Sequence, residues 1–462
     1  MKYSDLPHWS ARAAAWAAQY HDTLRDRPVR PRATPGDVKR QLPAAPPEQA
    51  EAMETIFADF ERLVPDAMTH WQHPGFMAYF SSNAAPASML AEQLANAISA
   101  QCMLWQTSPA ATEIEEVMID WLRDALGLRD TFTGTIHDSA TTATLSAVLT
   151  MRDRALAWRS VDTGLSGEKP LRIYASAQTH SSIDKAVRLS GIGQGNLVKI
   201  PTTADYKMDT AALDQAIKDD LAAGFLPAGV VGCTGGTSIG ACDDIAALIN
   251  VARAHDLYTH IDAAWAGSAM ICPEFRHLWD GVDGADSIVF NPHKWLGANF
   301  DCSVQFLADP KPQIRTLGLR PDYLKTLDQS DVTDFNEWTV PLGRRFRALK
   351  LWFLIRAYGL EGLRTRIRNH VAWTRQSAED VAKIPGCTIT TTPVLNLYSF
   401  RFHDDARTQA LLEAINNDGR IYLTQTIHDG QFVVRVTMGQ FDMEERDARM
   451  AATVIADIAA SL

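Results

Sequence analysis

The stretch Ser287-Ile288-Val289-Phe290-Asn291-Pro292-His293-Lys294-Trp295-Leu296 decides how this chain is read. Ser287 to Phe290 is a short apolar, β-branched run, which predicts a buried strand. Asn291-Pro292 ends it, because proline has no N–H to donate and pushes the preceding residue out of helical space. Lys294 therefore stands just past a strand end, on a tight turn, between His293 and Trp295. Desolvation beside aromatic rings lowers a lysine's pKa toward the neutral amine. A neutral amine attacks aldehydes and forms a Schiff base with them. A surface lysine whose stem covers apolar neighbours has the same local sequence, so Lys294 by itself decides nothing.

A second stretch sharpens the reading. Tyr258-Thr259-His260-Ile261-Asp262-Ala263-Ala264-Trp265-Ala266-Gly267 predicts another short strand that ends in a carboxylate followed by small residues. Ligands of open α/β sheets sit beyond the carboxyl ends of strands. A lysine and an aspartate at that rim fit pyridoxal phosphate (PLP), the lysine as its imine and the aspartate as partner of the pyridinium nitrogen. Asp262 alone would pass for a helix cap in a loop. The pair is far more specific than either member.

Three runs carry a family likeness: YTHIDAAWAGSAMICPEFR from Tyr258 to Arg276, NPHKWLGANFDC from Asn291, and PLGRRFRALKLWF from Pro341. Through them the chain resembles the group II PLP-dependent decarboxylases, and among these the aromatic L-amino acid decarboxylases. The resemblance extends from about Trp9 to the C-terminus. It implies an α/β fold of the PLP aminotransferase type (fold type I). A large domain with a mainly parallel sheet is wrapped by helices, and a small α+β C-terminal domain and a helical N-terminal arm accompany it.

Composition sets the bounds. A chain of 462 residues holds a large core and more than one domain. Its 46% hydrophobic and 21% charged content is that of an ordinary globular protein. A net charge of −11 argues against nucleic acid or an anionic membrane as partner. The polar start Met1-Lys2-Tyr3-Ser4-Asp5 predicts no signal peptide, and no apolar run is long enough to span a bilayer. Six scattered cysteines without a C-x-x-C pair suit reduced thiols in the cytoplasm better than disulfides or zinc. The dispersed histidines, with no H-E-x-x-H, predict no metal. Gly191-Ile192-Gly193-Gln194-Gly195 lacks the spacing of a dinucleotide loop and reads as a helix end and turn.

Along the chain, residues 10 to about 25 form an Ala-rich helix, 28–47 a proline-rich connector, and 48 to about 62 a second amphipathic helix. Two helices on such a tether need another surface to bury their apolar sides. The resemblance implies a homodimer with interlocked N-terminal segments. Helices are expected at about 87–104 and 112–126. Strands at 171–175, 197–200, 229–233, 257–261, 287–290 and 303–307 alternate with helical stretches, which predicts a mainly parallel sheet. Residues 344 to about 358 read as an amphipathic helix. Beyond 384 the pattern becomes strand, helix, strand, strand, helix. The expected division is 1–85 for the N-terminal arm, 86–360 for the large PLP-binding domain and 361–462 for the small domain.

Asp138-Ser139-Ala140-Thr141-Thr142 precedes a helical run, and a phosphate needs N–H groups and hydroxyls at a helix N-terminus. An ordinary cap by Ser139 has the same sequence. The resemblance assigns Ser139, Ala140, Thr141 and Asn291 to the phosphate. It also sets His180 on one ring face, Ala264 on the other, and Thr237 and His293 beside the cofactor. For substrate it implies an aromatic pocket at Trp71, Tyr79, Phe80 and Ser82, extended by Met103 and Gly343. The chain departs from the animal enzymes at Ser81-Ser82 and Gln101-Cys102-Met103. Trp265 replaces a tyrosine, and Gly343 is the small option where plant relatives for phenolic substrates carry serine. These departures bear on the side chain accepted, not on the cofactor.

The expected reaction is decarboxylation of aromatic L-amino acids to amines. Lys294 gives way to the substrate amine and Asp262 keeps the ring protonated; the resemblance further implies that His180 supports the ring and that Tyr323, matching the family's loop tyrosine, returns a proton to Cα from a polar loop at 322–337. A carboxylate bond held perpendicular to the ring is the one that breaks. Three alternatives remain open: oxidative decarboxylation to an aromatic aldehyde, against which Tyr323 argues; a decarboxylase of a non-aromatic amino acid; and a PLP-binding protein without turnover.

Overall fold

Among the described residues seven short strands make the central sheet: β1 (Thr133–His137), β2 (Leu171–Ser176), β3 (Leu197–Ile200), β4 (Leu226–Cys233), β5 (Tyr258–Asp262), β6 (Ser287–Phe290) and β7 (Ser303–Leu307). The computed structural model describes residues 1–319 and 332–462. Strand order is β1-β7-β6-β5-β4-β2-β3. The pairs from β3 through β6 are parallel, and β7 runs antiparallel to both β6 and β1. The strands are almost continuously buried, as a sheet covered on both faces requires.

The described chain divides into two compact units. One comprises Met1–Ser81, Trp373–Thr391 and Ser399–Leu462, the other Ser82–Ala372 with Thr392–Tyr398. The larger unit holds the seven-stranded sheet. Its core packs Val148 and Met151 of the helix Ala140–Ala155, with Ile183 and Val187 of the helix Ser181–Leu189, against Ile173 and Val231 of the sheet. In the smaller unit the N-terminal residues share a body with the C-terminal ones. Arg25 is held by Asp447 at 2.9 Å, and the Val29 N–H reaches the Gly419 carbonyl at 2.9 Å. The helices Leu6–Asp22 and Met53–Leu63 meet through Trp16 on Phe60 and Trp9 on Phe57, with centroids 4.8 and 5.9 Å apart. A second sheet is ordered β10-β11-β9-β8, with β8 Cys387–Val394, β9 Leu397–Phe402, β10 Thr424–His428 and β11 Gln431–Thr437.

The six expected strands of the large sheet are all present; β1 and β8 are additional. The helix expected over 87–104 spans Pro86–Ile98 and stops at Ser99, which takes a left-handed conformation (φ 50°). The helix expected from 344 begins at Ala348 and continues to Ala382, with a non-helical residue at Gly359. Gly191 and Gly193, both at positive φ, form the turn after Ser181–Leu189. No helix among the described residues is long and apolar enough to cross a membrane. No cluster of His, Cys, Asp and Glu among them is fit to hold a metal ion.

Candidate active site

β5 and β6 are neighbouring parallel strands paired Asp262 to Val289. Their carboxyl ends therefore deliver Asp262 and the Asn291-to-Lys294 turn to the same rim. Asn291 leaves the sheet with its N–H on the Ala264 carbonyl at 2.8 Å. Pro292–Leu296 then makes a single wide turn, closed by the Gly297 N–H on the Pro292 carbonyl at 3.1 Å. Asn83 clamps the turn from outside: its side-chain amide donates to the Lys294 carbonyl at 2.7 Å and its backbone N–H to the His293 carbonyl at 3.1 Å. Trp295 is buried and donates its indole N–H to His370 Nδ1 at 2.9 Å.

A cavity of about 260 Å³ opens at this rim. Ser139, Ala140, Thr141, His180, Thr237, Asp262, Ala264, Asn291, His293 and Lys294, each singled out from the sequence, all line it. Burial lowers the Lys294 pKa from its ordinary value, against the opposing charge of Asp262. That shift raises the share of neutral amine near neutral pH. Asp262 is 6% exposed. One of its oxygens accepts the Ala264 N–H at 3.0 Å, and the other has no protein partner among the described residues.

His180 caps the helix Ser181–Leu189. Its Nδ1 accepts the Ser182 N–H at 3.1 Å, so the neutral ring carries its proton on Nε2. Burial lowers its pKa; the Asp262 charge opposes that and the Lys294 charge adds to it. His293 is pushed down to about 3 by burial and by Lys294. It stays neutral, with Nδ1 accepting the Cys302 N–H at 2.9 Å. Asn291 accepts the Ser303 hydroxyl at 2.6 Å through Oδ1, which leaves its NH2 group as the donor. On the other side of the cavity Ser139 caps the helix Ala140–Ala155, its Oγ accepting the Thr142 N–H at 3.2 Å.

The cavity is also lined by Ser182, Cys233, Gly235, Gly236 and Trp265, which sequence reading did not assign to it. Gly235 is at φ +86°, and a Cβ there would fall 2.6 Å from the Ala266 Cβ. The Trp265 indole N–H holds the Gly235 carbonyl at 2.5 Å. The signal available in the sequence was the pair Gly235-Gly236 directly before Thr237.

The residues expected to select substrate do not line this cavity. Trp71, Tyr79 and Phe80 belong to the smaller unit; Ser82, Met103 and Gly343 belong to the larger one. Trp71 and Tyr79 stack at 6.0 Å, and Tyr422 lies 6.3 Å from Tyr79. Behind them in the same unit is Arg435, 5% exposed, with its guanidinium 5.3 Å from the Phe80 ring centre. Burial lowers the Arg435 pKa to about 10, against the charge of Tyr79. Its Nε and Nη2 have no partner among the described residues. Gly343 faces Gln101, whose side-chain nitrogen would lie 3.1 Å from a Cβ added there. The Met103 carbonyl accepts the Asn336 N–H at 3.1 Å. Tyr323 lies outside the described residues.

A family model described as the pyridoxal-dependent decarboxylase conserved domain matches residues 35–403. The aromatic-L-amino-acid decarboxylase of Sus scrofa is 37% identical over 477 aligned residues, which cover 100% of this chain and 98% of that protein. The phenylacetaldehyde synthase of Arabidopsis thaliana is 36% identical, covering 96% of this chain and 94% of its own. The crystal structure of Oryza sativa TDC with PLP and tryptamine superposes with a TM-score of 0.97 at 34% identity, over 100% of this chain and 99% of that one.

Proposed function

The chain belongs to the pyridoxal-dependent decarboxylase family, and on that premise we propose that it removes the α-carboxylate of aromatic L-amino acids as CO2 and releases the amine. Its cofactor is pyridoxal phosphate. The donor set of the cavity fits that group: an amine and a carboxylate at adjacent strand ends, an Asn NH2 group, and a serine-capped helix start.

When bound, the cofactor supplies an aldehyde that captures amines and a protonated ring that accepts an electron pair from Cα. Lys294 Nζ would hold the cofactor at its aldehyde. Asp262, through its unpaired oxygen, keeps a proton on the ring nitrogen. Ser139, Ala140, Thr141 and Asn291 hold the phosphate. His180, with its Nε2–H available as a donor, would flank one ring face, and Ala264 would leave room at the other. Thr237 and His293 border the ring. Trp71, Tyr79, Phe80, Ser82, Met103 and Gly343 choose the side chain, and Tyr323 delivers the proton to Cα. Residues 1–85 serve as a dimerisation arm on a homodimer, with the cofactor domain at 86–360 and the small domain at 361–462. The enzyme works in the cytoplasm, a reading supported by its six free cysteines.

The single observation that carries this reading is the shared cavity of Lys294, Asp262, His180 and the 139–141 helix start. The test is CO2 release from tryptophan, phenylalanine, tyrosine, dopa and glutamate. Turnover of the aromatic substrates alone is expected, and glutamate as the preferred substrate would overturn the aromatic assignment.

A further inference from the structure

Between the end of β1 and the helix Ala140–Ala155 the chain passes through Asp138, a residue with no role in the chemistry above. Its Oδ1 accepts two hydroxyls, that of Thr142 at 2.5 Å and that of Ser139 at 3.1 Å. The Ser139 and Thr142 hydroxyls, 3.0 Å from each other, thus converge on one carboxylate oxygen. No cation lies within ion-pair distance of Asp138 among the described residues. Arg347 acts on it through space, but its guanidinium is held by Asp301 at 3.0 and 3.3 Å. Partial burial works to raise the Asp138 pKa; the Thr142 and Ser139 hydroxyls, helped by Arg347, outweigh it and bring the pKa below the usual carboxylate range. A fixed negative charge therefore stands at the helix N-terminus where Ser139, Ala140 and Thr141 face the cavity.

We propose that Asp138 opposes the cofactor phosphate, competing for the Ser139 hydroxyl and repelling the second anion, so that pyridoxal phosphate stays exchangeable. This rests on the assignment of Ser139, Ala140 and Thr141 to the phosphate. A hydroxyl has one proton to donate; within the loop Ser139 can give it to Asp138 at 3.1 Å or to the Thr142 hydroxyl, itself committed to Asp138, at 3.0 Å, and either bond competes with one to the phosphate. The helix terminus offers roughly half a positive charge, too little to neutralise two anions. The paired charge makes the site weaker than its donor set alone would be.

Asp138→Asn keeps the shape and an acceptor for Thr142 while removing the charge; Asp138→Ser removes charge and bulk together. Holoenzyme is diluted into a trap and cofactor release followed by absorbance, and apoenzyme is titrated with pyridoxal phosphate and, separately, with pyridoxal. Both neutral variants should bind pyridoxal phosphate about tenfold more tightly, ~1.4 kcal/mol, with slower release. Pyridoxal, which lacks the phosphate, should bind as it does to the unmodified enzyme. Unchanged or weaker binding of pyridoxal phosphate by both variants would overturn the inference and leave Asp138 as an organiser of the loop. Equal gains for both ligands would overturn it too, because the effect would not be on the phosphate. If the unmodified enzyme showed no preference for pyridoxal phosphate over pyridoxal, the phosphate assignment itself would fall and take this inference with it.

Discussion

Replacing Arg344 should destabilise the larger unit more than almost any other single change, and the reason is local. Its side chain and that of Glu115 are 3% and 4% exposed and meet at 2.5 Å. The guanidinium also donates to the Thr135 hydroxyl at 3.0 Å, the Ile136 carbonyl at 2.9 Å and the Cys102 carbonyl at 3.3 Å. Glu115 in turn accepts the Ile136 N–H at 2.8 Å and the Thr135 hydroxyl at 3.0 Å. Arg344→Met leaves a buried carboxylate with two neutral donors and no cation. Removing one partner of a buried ion pair costs about 3–5 kcal/mol, whereas removing both charges costs far less. Glu115→Gln keeps an acceptor for Ile136 and Thr135. The double variant Arg344→Met/Glu115→Gln should therefore regain about 2 kcal/mol over the sum of the single losses. Urea midpoints for the four proteins give this cycle directly. Since Ile136 lies in β1, which delivers Ser139 to the cavity, Arg344→Met should also weaken pyridoxal phosphate binding several-fold. A loss below about 1 kcal/mol for Arg344→Met, or strictly additive single losses, would refute the reasoning.

Three further outcomes are expected. Lys294→Ala should lose turnover and the visible absorption of the bound cofactor while keeping its fold by circular dichroism; retention of both properties would remove Lys294 from the site. Acid should destabilise the protein early. Burial pushes His73, His137 and His260 down to about 4, and His293 and His370 to about 3. The unfolded chain takes up protons at these positions as pH falls through 6.5 and the fold does not, so each costs on the order of 1 kcal/mol of stability per pH unit in that window. The melting temperature should drop between pH 6.5 and 5, above the carboxylate range, and a flat profile there would contradict the burial of neutral imidazoles. Deleting residues 1–47 should yield an inactive protein that light scattering reports as monomeric or aggregated; an active, soluble monomer would disprove the role given to the arm.

The lining of the cavity at the strand ends was legible because its residues sit at strand ends and helix starts, where local sequence announces geometry. Asn291-Pro292 stops β6, a carboxylate ends β5, and Ser139 opens a helix. β1 escaped because Thr133-Gly134-Thr135-Ile136-His137 has a glycine and two threonines in place of an apolar run; its glycine is required, since a Cβ at Gly134 would fall 2.2 Å from the Gln305 carbonyl oxygen. β8 escaped for a related reason: Cys387–Val394 is only half-buried and rich in threonine. The helix that opens at Pro86 stops at Ile98 through a left-handed Ser99, a conformation with no sequence marker. A lone arginine within Phe432-Val433-Val434-Arg435-Val436 reads as the outward residue of a strand, yet Arg435 is buried. Trp265 reads in the sequence as a replacement in the motif, and its hold on the Gly235 carbonyl appears only when β4 and β5 are side by side.

Whether this chain makes amines or aldehydes is answered by a single incubation in air. Enzyme saturated with pyridoxal phosphate is given L-tryptophan, L-phenylalanine or L-tyrosine, and CO2, amine, hydrogen peroxide and dissolved oxygen are followed together. Amine and CO2 should appear in equal amounts with oxygen untouched. Aldehyde and peroxide in step with CO2, and oxygen consumed alongside, would contradict the decarboxylase reading and make the protein an aldehyde synthase.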